Sequence, residues 1–231
     1  MKKKSGSRAC YSILILLFAA IAAYSGRQVW KIQKNYAAEA ALHAAVMEYK
    51  PRADEIVNQG VIDLKVKYPD VAGWLNVPGT GIDYPFVHYG DNDRYLRHDL
   101  DGNYALAGTL FMDCRCEPDF SSRNTILYGH HMKNGSMFGT LKAFADKDFF
   151  DKNTRGTIFL PHERLQLEFF AYLVVKSTEQ RVYGELDLEY VRQNARQYRD
   201  AGLTSDGRIV TLSTCAYEFD EARMVLLARL S

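Results

Sequence analysis

The sequence predicts a mostly β fold, a barrel or sandwich, with N-terminal helices and one long helix just before a strand that ends on a cysteine. Three observations carry this. From Tyr68 onward, short apolar runs alternate with turn signals at even spacing. Residues 27–59 are rich in Ala, Lys, Gln and Glu, with apolar positions at helical spacing. The stretch DLEYVRQNARQYRDAG is amphipathic and precedes RIVTLSTC, an apolar β-branched run that delivers Cys215.

The N-terminus differs in kind from the rest. MKKKSGSR is basic, and the span from Ala9 to Tyr24 is apolar and uncharged. A bilayer needs roughly 17–25 residues of helix, so this span is slightly short. Two readings stay open, an uncleaved signal-anchor or a cleavable signal peptide with Ala20-Ile21-Ala22 as the small-residue site. Lys2, Lys3, Lys4 and Arg8 favour a cytoplasmic N-terminus by the positive-inside rule, against the weaker pull of Arg27, Lys31 and Lys34. Three segments are expected: 1–26 as cytoplasmic tail and signal-anchor, 27–67 as a helical segment broken near Pro51, and 68–231 as the β-domain. With the signal-anchor retained, the protein is expected in the plasma membrane as a single-pass chain with its β-domain outside the cytoplasm.

The remaining elements follow in order. VAGWLNVPGTGIDYPFVH reads as strand, turn, strand, with Pro78-Gly79 and Gly81 at the turn. GTLFMD and NTILYGH read as strands, and MFGTLKAFADKDFF as a short helix and turn. TIFLPH and LQLEFFAYLVVKS read as a hairpin. The amphipathic stretch, with Leu188, Val191, Ala195 and Tyr198 on one face, is expected to run as a helix to Gly202. RIVTLSTC and RMVLLARLS close the fold.

The 231 residues suffice for one domain with a sizeable core. A net charge of +1 gives no global field that would gather nucleic acid. The four cysteines form no disulfide framework. Cys10 sits at the membrane edge. Cys114 and Cys116 form a lone C-x-C, too few ligands for a zinc site. Cys215 is left as an unpaired thiol in an exported domain.

A free thiol titrates near pH 8.5, so an attacking thiolate needs a neighbouring base or cation. His130 and His131 end a strand just after Gly129, where the absence of a side chain permits close approach. Arg223 opens the strand after Cys215 and can donate paired hydrogen bonds to an oxyanion or a peptide carbonyl. Glu218, Asp220 and Glu221 lie between them as candidates to orient a histidine. Thiol, imidazole and guanidinium at strand ends are the parts of cysteine-based acyl transfer.

TLSTC (211–215), the arginine of RMVLLA (223–228) and NTILYGHHMKNGSMF (124–138) together resemble the sortases of Gram-positive bacteria, specifically class B. The similarity extends to NDRYL (92–96), GTLFMD (108–113) and the helix before the cysteine strand. It implies an eight-stranded, mostly antiparallel sortase β-barrel and a membrane-anchored cysteine transpeptidase that needs no cofactor or metal. By position, Cys215 is the nucleophile, His130 the acid and base, and Arg223 the holder of the peptide and oxyanion. The resemblance also puts Asn92, Leu96, Tyr128 and Ser213 along the sorting-signal groove, with Val182 and Tyr183 as another wall. The implied partners are surface proteins with an NPxTx-like C-terminal sorting signal and the amine of a lipid II-type peptidoglycan precursor. A pilin-polymerising sortase and a catalytically silent peptide-binding barrel are the alternatives. Some class B members carry an acidic residue after the cysteine; here that residue is Ala216.

Overall fold

A computed structural model describes residues 5–52, 57–204, 207–215 and 221–230, with side chains from Cys10 onward and Cys215 excepted. The chain divides into two units between Leu42 and His43. The first unit is helical throughout its described residues. Helix α1 (Ser5–Val46) runs without a break across the expected boundary at 26, because no proline interrupts it before Pro51. It is long and apolar enough to cross a membrane.

The second unit opens with the last residues of α1, from His43, followed by a single turn of 3₁₀ helix at Met47–Tyr49 and helix α2 (Gln59–Lys67). Val61 and Leu64, three apart on one face of α2, are fully buried. The strands follow: β1 (Val71–Val77), β2 (Ile82–His88), β3 (Leu110–Met112) and β4 (Asn124–Tyr128). A 3₁₀ turn (Leu141–Ala145) and helix α3 (Lys147–Lys152) lead into β5 (Arg155–Phe159) and β6 (Arg164–Lys176). Helices α4 (Gln180–Tyr183) and α5 (Leu188–Asn194), the short β7 (Gln197–Tyr198), then β8 (Ile209–Cys215) and β9 (Ala222–Leu230) complete the chain.

The strand order is β5-β1-β2-β3-β4-β8-β9-β6, and β5 pairs back onto β6, so eight strands close into a barrel. Closure leaves no long edge to recruit another chain. Two pairings are parallel, β2 with β3 and β4 with β8; the others in the ring are antiparallel. The β1–β2 hairpin turns at Gly79, whose φ of +78° lies in the left-handed region that glycine enters without steric cost. The turn of the β5–β6 hairpin is tied down by buried Asn58, whose amide donates to the carbonyls of Leu160 and Glu163.

The barrel interior is filled by large apolar side chains, including Phe86, Phe138, Phe169, Tyr172 and Leu212. A second cluster lies outside, where Val182, Leu186 and Val191 cover Leu173, Val175 and Leu227. A β-bulge between Phe169 and Ala171 lets β6 serve both layers. Before it, Leu165, Leu167 and Phe169 point inward; after it, Tyr172 does, while Ala171, Leu173 and Val175 join the outer cluster.

The helix before the cysteine strand is present but stops at Asn194 rather than Gly202. Its start is capped by Asp187, which accepts from the backbone N–H of Glu189 and Tyr190. Its end is decided by the sheet. Arg196 and Arg199 donate backbone hydrogen bonds of 2.8 Å to Tyr172 and Phe170, and β7 pairs with β6. An unpaired strand margin offers those peptide groups partners that a further helical turn would forgo.

Candidate active site

Four elements converge at one rim of the barrel. Because β4 and β8 run parallel and in register, Tyr128 beside Ser213, both deliver their C-terminal ends to that rim. Gly129 extends the pairing by donating to the Ser213 carbonyl at 3.2 Å, and His130 follows. β8 ends on Cys215, whose register partner on antiparallel β9 is Arg223. Glu221, just before β9, takes a left-handed φ of +60°. Residues 216–220, with Ala216, Glu218 and Asp220, lie outside the described residues.

A cleft of about 280 Å³ occupies the rim. It brings together His130, Arg223, Asn92, Leu96, Tyr128, Ser213 and Tyr183 of the residues singled out from the sequence. Val182 is not among them. It is fully buried in the outer cluster, and its carbonyl accepts from the Asn124 amide at 2.9 Å. Val182 thus pins α4 to β4, and its neighbour Tyr183 is left to face the cleft. Phe111, Gly129, Ser177 and Thr214 also line it. Phe111 and Thr214 sit within runs already read as strands, and strand alternation alone did not single them out. Ser177, at the end of β6, carried no signal.

His130 is held by its ring. Nε2 lies 2.8 Å from the carbonyl oxygen of Leu96. A carbonyl only accepts, so Nε2 carries the proton and Nδ1 of the neutral ring keeps its lone pair. Burial lowers the pKa of His130, and the positive charges of Arg97 and Arg223 lower it further against the Leu96 hydrogen bond. The ring is therefore neutral near pH 7. His131 turns into a different local structure, its backbone bridging to Met137. Gly129 is needed where it stands: a Cβ there would come within 2.4 Å of Leu110 Cδ2 and 2.9 Å of the Phe138 ring.

The walls are braced by polar contacts. Tyr183 Oη and Ser213 Oγ are 2.7 Å apart. Tyr128 packs on Phe111 with ring centroids 5.2 Å apart and donates its hydroxyl to Asp113 at 3.0 Å. Asp113 is fully buried. Burial opposes its ionisation, yet paired hydrogen bonds from the Arg115 guanidinium (2.8 Å each), a backbone N–H and the Tyr128 hydroxyl outweigh it and hold its pKa down at about 2. Burial and the same carboxylate push the Tyr128 phenol well above its ordinary value, so it remains a donor. Asn92 accepts from the Cys114 N–H at 2.8 Å, tying the cleft to the 113–116 loop.

Residues 75–231 match the sortase domain family, and they contain the whole rim. The chain belongs to the sortases. The sortase B of Listeria monocytogenes is 35% identical over 180 residues, covering 73% of this chain and 72% of that one. The sortase B of Staphylococcus aureus is 31% identical over 173 residues, covering 70% of each. Among solved structures, sortase B from Bacillus anthracis in complex with AAEK1 superposes with a TM-score of 0.74 at 31% identity, covering 86% of this chain and 99% of that one. A class B sortase of Streptococcus pyogenes involved in pilus biogenesis gives 0.69 at 30% identity, covering 74% and 97%. This sortase is accordingly of class B and a cysteine transpeptidase, a type of enzyme that acts on surface proteins with sorting signals and on cell-wall precursors.

Proposed function

We propose that the enzyme cleaves an NPxTx-like C-terminal sorting signal after its threonine and joins the surface protein to a peptidoglycan amine. Cys215 is the nucleophile, His130 the proton carrier and Arg223 the holder of the peptide and the oxyanion. His130 Nδ1 takes the thiol proton and the thiolate attacks the threonine carbonyl. Arg223 donates to the oxygen as it becomes anionic. The imidazolium returns the proton to the departing amine, leaving a thioester on Cys215. The amine of a lipid II-type precursor then attacks the thioester, His130 accepts its proton, and the thiolate leaves.

One observation supports this most: neutral, ring-anchored His130 and Arg223 flank a single cleft at the end of the strand that terminates on Cys215. Asn92, Leu96, Tyr128, Ser213 and Tyr183 form the groove for the signal peptide. The apolar helix α1 anchors the chain in the plasma membrane as a single span, with residues 1–26 as tail and anchor, 27–67 as helical connector and 68–231 as the catalytic domain outside the cytoplasm. Tethering donor, acceptor and enzyme to one surface raises their effective concentration.

The test is cleavage of a fluorogenic NPxTx peptide by full-length protein in detergent. Cys215→Ala is expected to abolish it; cleavage that survives this substitution overturns Cys215 as the nucleophile, and peptide binding without cleavage by the wild type leaves only a peptide-binding barrel. The pilus role of the S. pyogenes relative favours a second reading, in which a pilin lysine resolves the thioester. Competing a lysine-bearing peptide against a peptidoglycan-type amine separates the two.

A further inference from the structure

A second cleft, of about 480 Å³, opens on the same outer face of the barrel. Asp113 and Arg115 of the β3–β4 connection, Arg123 and Ile126 around β4, and Glu185 between α4 and α5 wall it. The two clefts are joined in two ways. Tyr183 lines both. Tyr128, a wall of the first, hydrogen-bonds Asp113, a wall of the second. Strand β4 also contributes to both, through Tyr128 in the first and Asn124 and Ile126 in the second. The pair Tyr128–Ser213 lies under the first, while Asn124–Ile209 belongs to the opposite end of the same two strands. Ile126, which walls the second cleft, pairs with Thr211, four residues before Cys215; at about 3.3 Å per strand residue the near end of that cleft is roughly 13 Å back along β8 from the Cys215 end.

The charges of the second cleft differ in availability. Asp113 and Arg115 neutralise each other in a two-point ion pair. Arg123, on the β4 side, and Glu185, on the opposite wall, are both exposed. The cleft thus offers a cation on one side and an anion on the other of a polar trough.

We propose that this second cleft is an upstream subsite, receiving in extended form the residues that precede the sorting signal, with Arg123 selecting a side-chain carboxylate there. The inference rests on the transpeptidase reading above. Four extended residues of a signal reach roughly 13 Å, so the chain before them arrives at the second cleft once the scissile bond sits at the Cys215 end. The acceptor amine attacks only after the tail has left, and enters from the leaving-group side, away from this trough.

Three fluorogenic peptides test it on the full-length protein in detergent: an NPxTx core, the core preceded by Asp-Gly-Glu, and the core preceded by Lys-Gly-Lys. The acidic peptide is expected to exceed the basic one in kcat/KM by about threefold to tenfold, mainly through KM, the range for one exposed charge-assisted contact. Arg123→Glu is expected to reverse that ratio. A ratio of one in the wild type, or a ratio unmoved by Arg123→Glu, overturns the subsite. Sensitivity of the acceptor step alone to Arg123→Glu also overturns it. If no peptide is cleaved, the transpeptidase reading fails; binding of the same three peptides to Cys215→Ala, by fluorescence anisotropy, still decides the subsite.

Discussion

The imidazole Nε2 of His130 sits 2.8 Å from the backbone oxygen of Leu96, so a main-chain carbonyl sets the tautomer of the ring at the mouth of the cleft. Leu96 therefore acts through its carbonyl as much as through its side chain. A substitution there leaves that oxygen in place, whereas displacing the 92–96 turn removes it.

His130→Ala is expected to lose essentially all peptide cleavage, whereas His131→Ala retains a substantial part, measured as kcat/KM on the same fluorogenic peptide. The reverse order would assign the proton carrier to the wrong histidine.

Arg97 lowers the pKa of His130 by its charge. Replacing it by Gln keeps a donor for the Leu106 carbonyl, which Arg97 holds at 3.0 Å, and removes the charge. The imidazolium becomes easier to form, so the His130 pKa rises. The acid side of the kcat/KM profile is expected to move to higher pH, with the His130 ring shifts in an NMR titration moving alike. An unmoved profile sinks the electrostatic account.

Asp113→Asn keeps the shape but loses the charge that binds Arg115 and Tyr128. The folded-state pKa of about 2 lies below the ordinary carboxylate value. The carboxylate thus contributes stability above about pH 4, and that contribution is lost as pH falls toward 2. Its size is about 2 kcal/mol at most, because the Arg115 partner is largely in water. Wild type is expected to lose stability over that window in denaturant titrations, and Asp113→Asn to lose less. KM should rise more than kcat falls, since Tyr128 loses its anchor.

Arg223→Lys is expected to lose most activity, because a point charge does not reproduce a planar fork of donors. Cleavage within a fewfold of wild type would show that charge alone suffices there.

Gly129→Ala places a methyl against Leu110 and Phe138. Overpacking of this kind costs about 1–3 kcal/mol. A lower midpoint of thermal unfolding is the expected result, with cleavage impaired because His130 is displaced.

Much of this was readable in the chain itself. The β1–β2 and β5–β6 hairpins follow from alternating apolar runs around Pro78-Gly79 and around 160–163. His130 and Arg223 both line the cleft at one rim, each at or next to the end of an apolar run that reads as a strand. Periodicity misjudged the end of α5, since it sees Ala195 and Tyr198 on a helical face and has no knowledge of the free margin of β6. The sequence does not separate Val182 from Tyr183 as walls of the groove, because adjacent residues of a short helix point differently and only packing decides which is buried. The Tyr128 hydroxyl bonds directly to Asp113, which lies with its ion-pair partner Arg115 in the loop after β3, so no spacing rule points to the contact.

The parallel pairing of β4 with β8 carries a consequence for biogenesis. β4 is made well before β8, and β8 and β9 follow every other element among the described residues. The rim that holds His130 gains its thiol strand and its arginine only when residues 209–230 insert beside a strand synthesised long before. On the proposed mechanism a nascent chain is consequently inert until residues 209–230 have been made. On the roles proposed for Cys215 and His130, the order of the strands acts as a timer that brings the two together only after β8 has been translated.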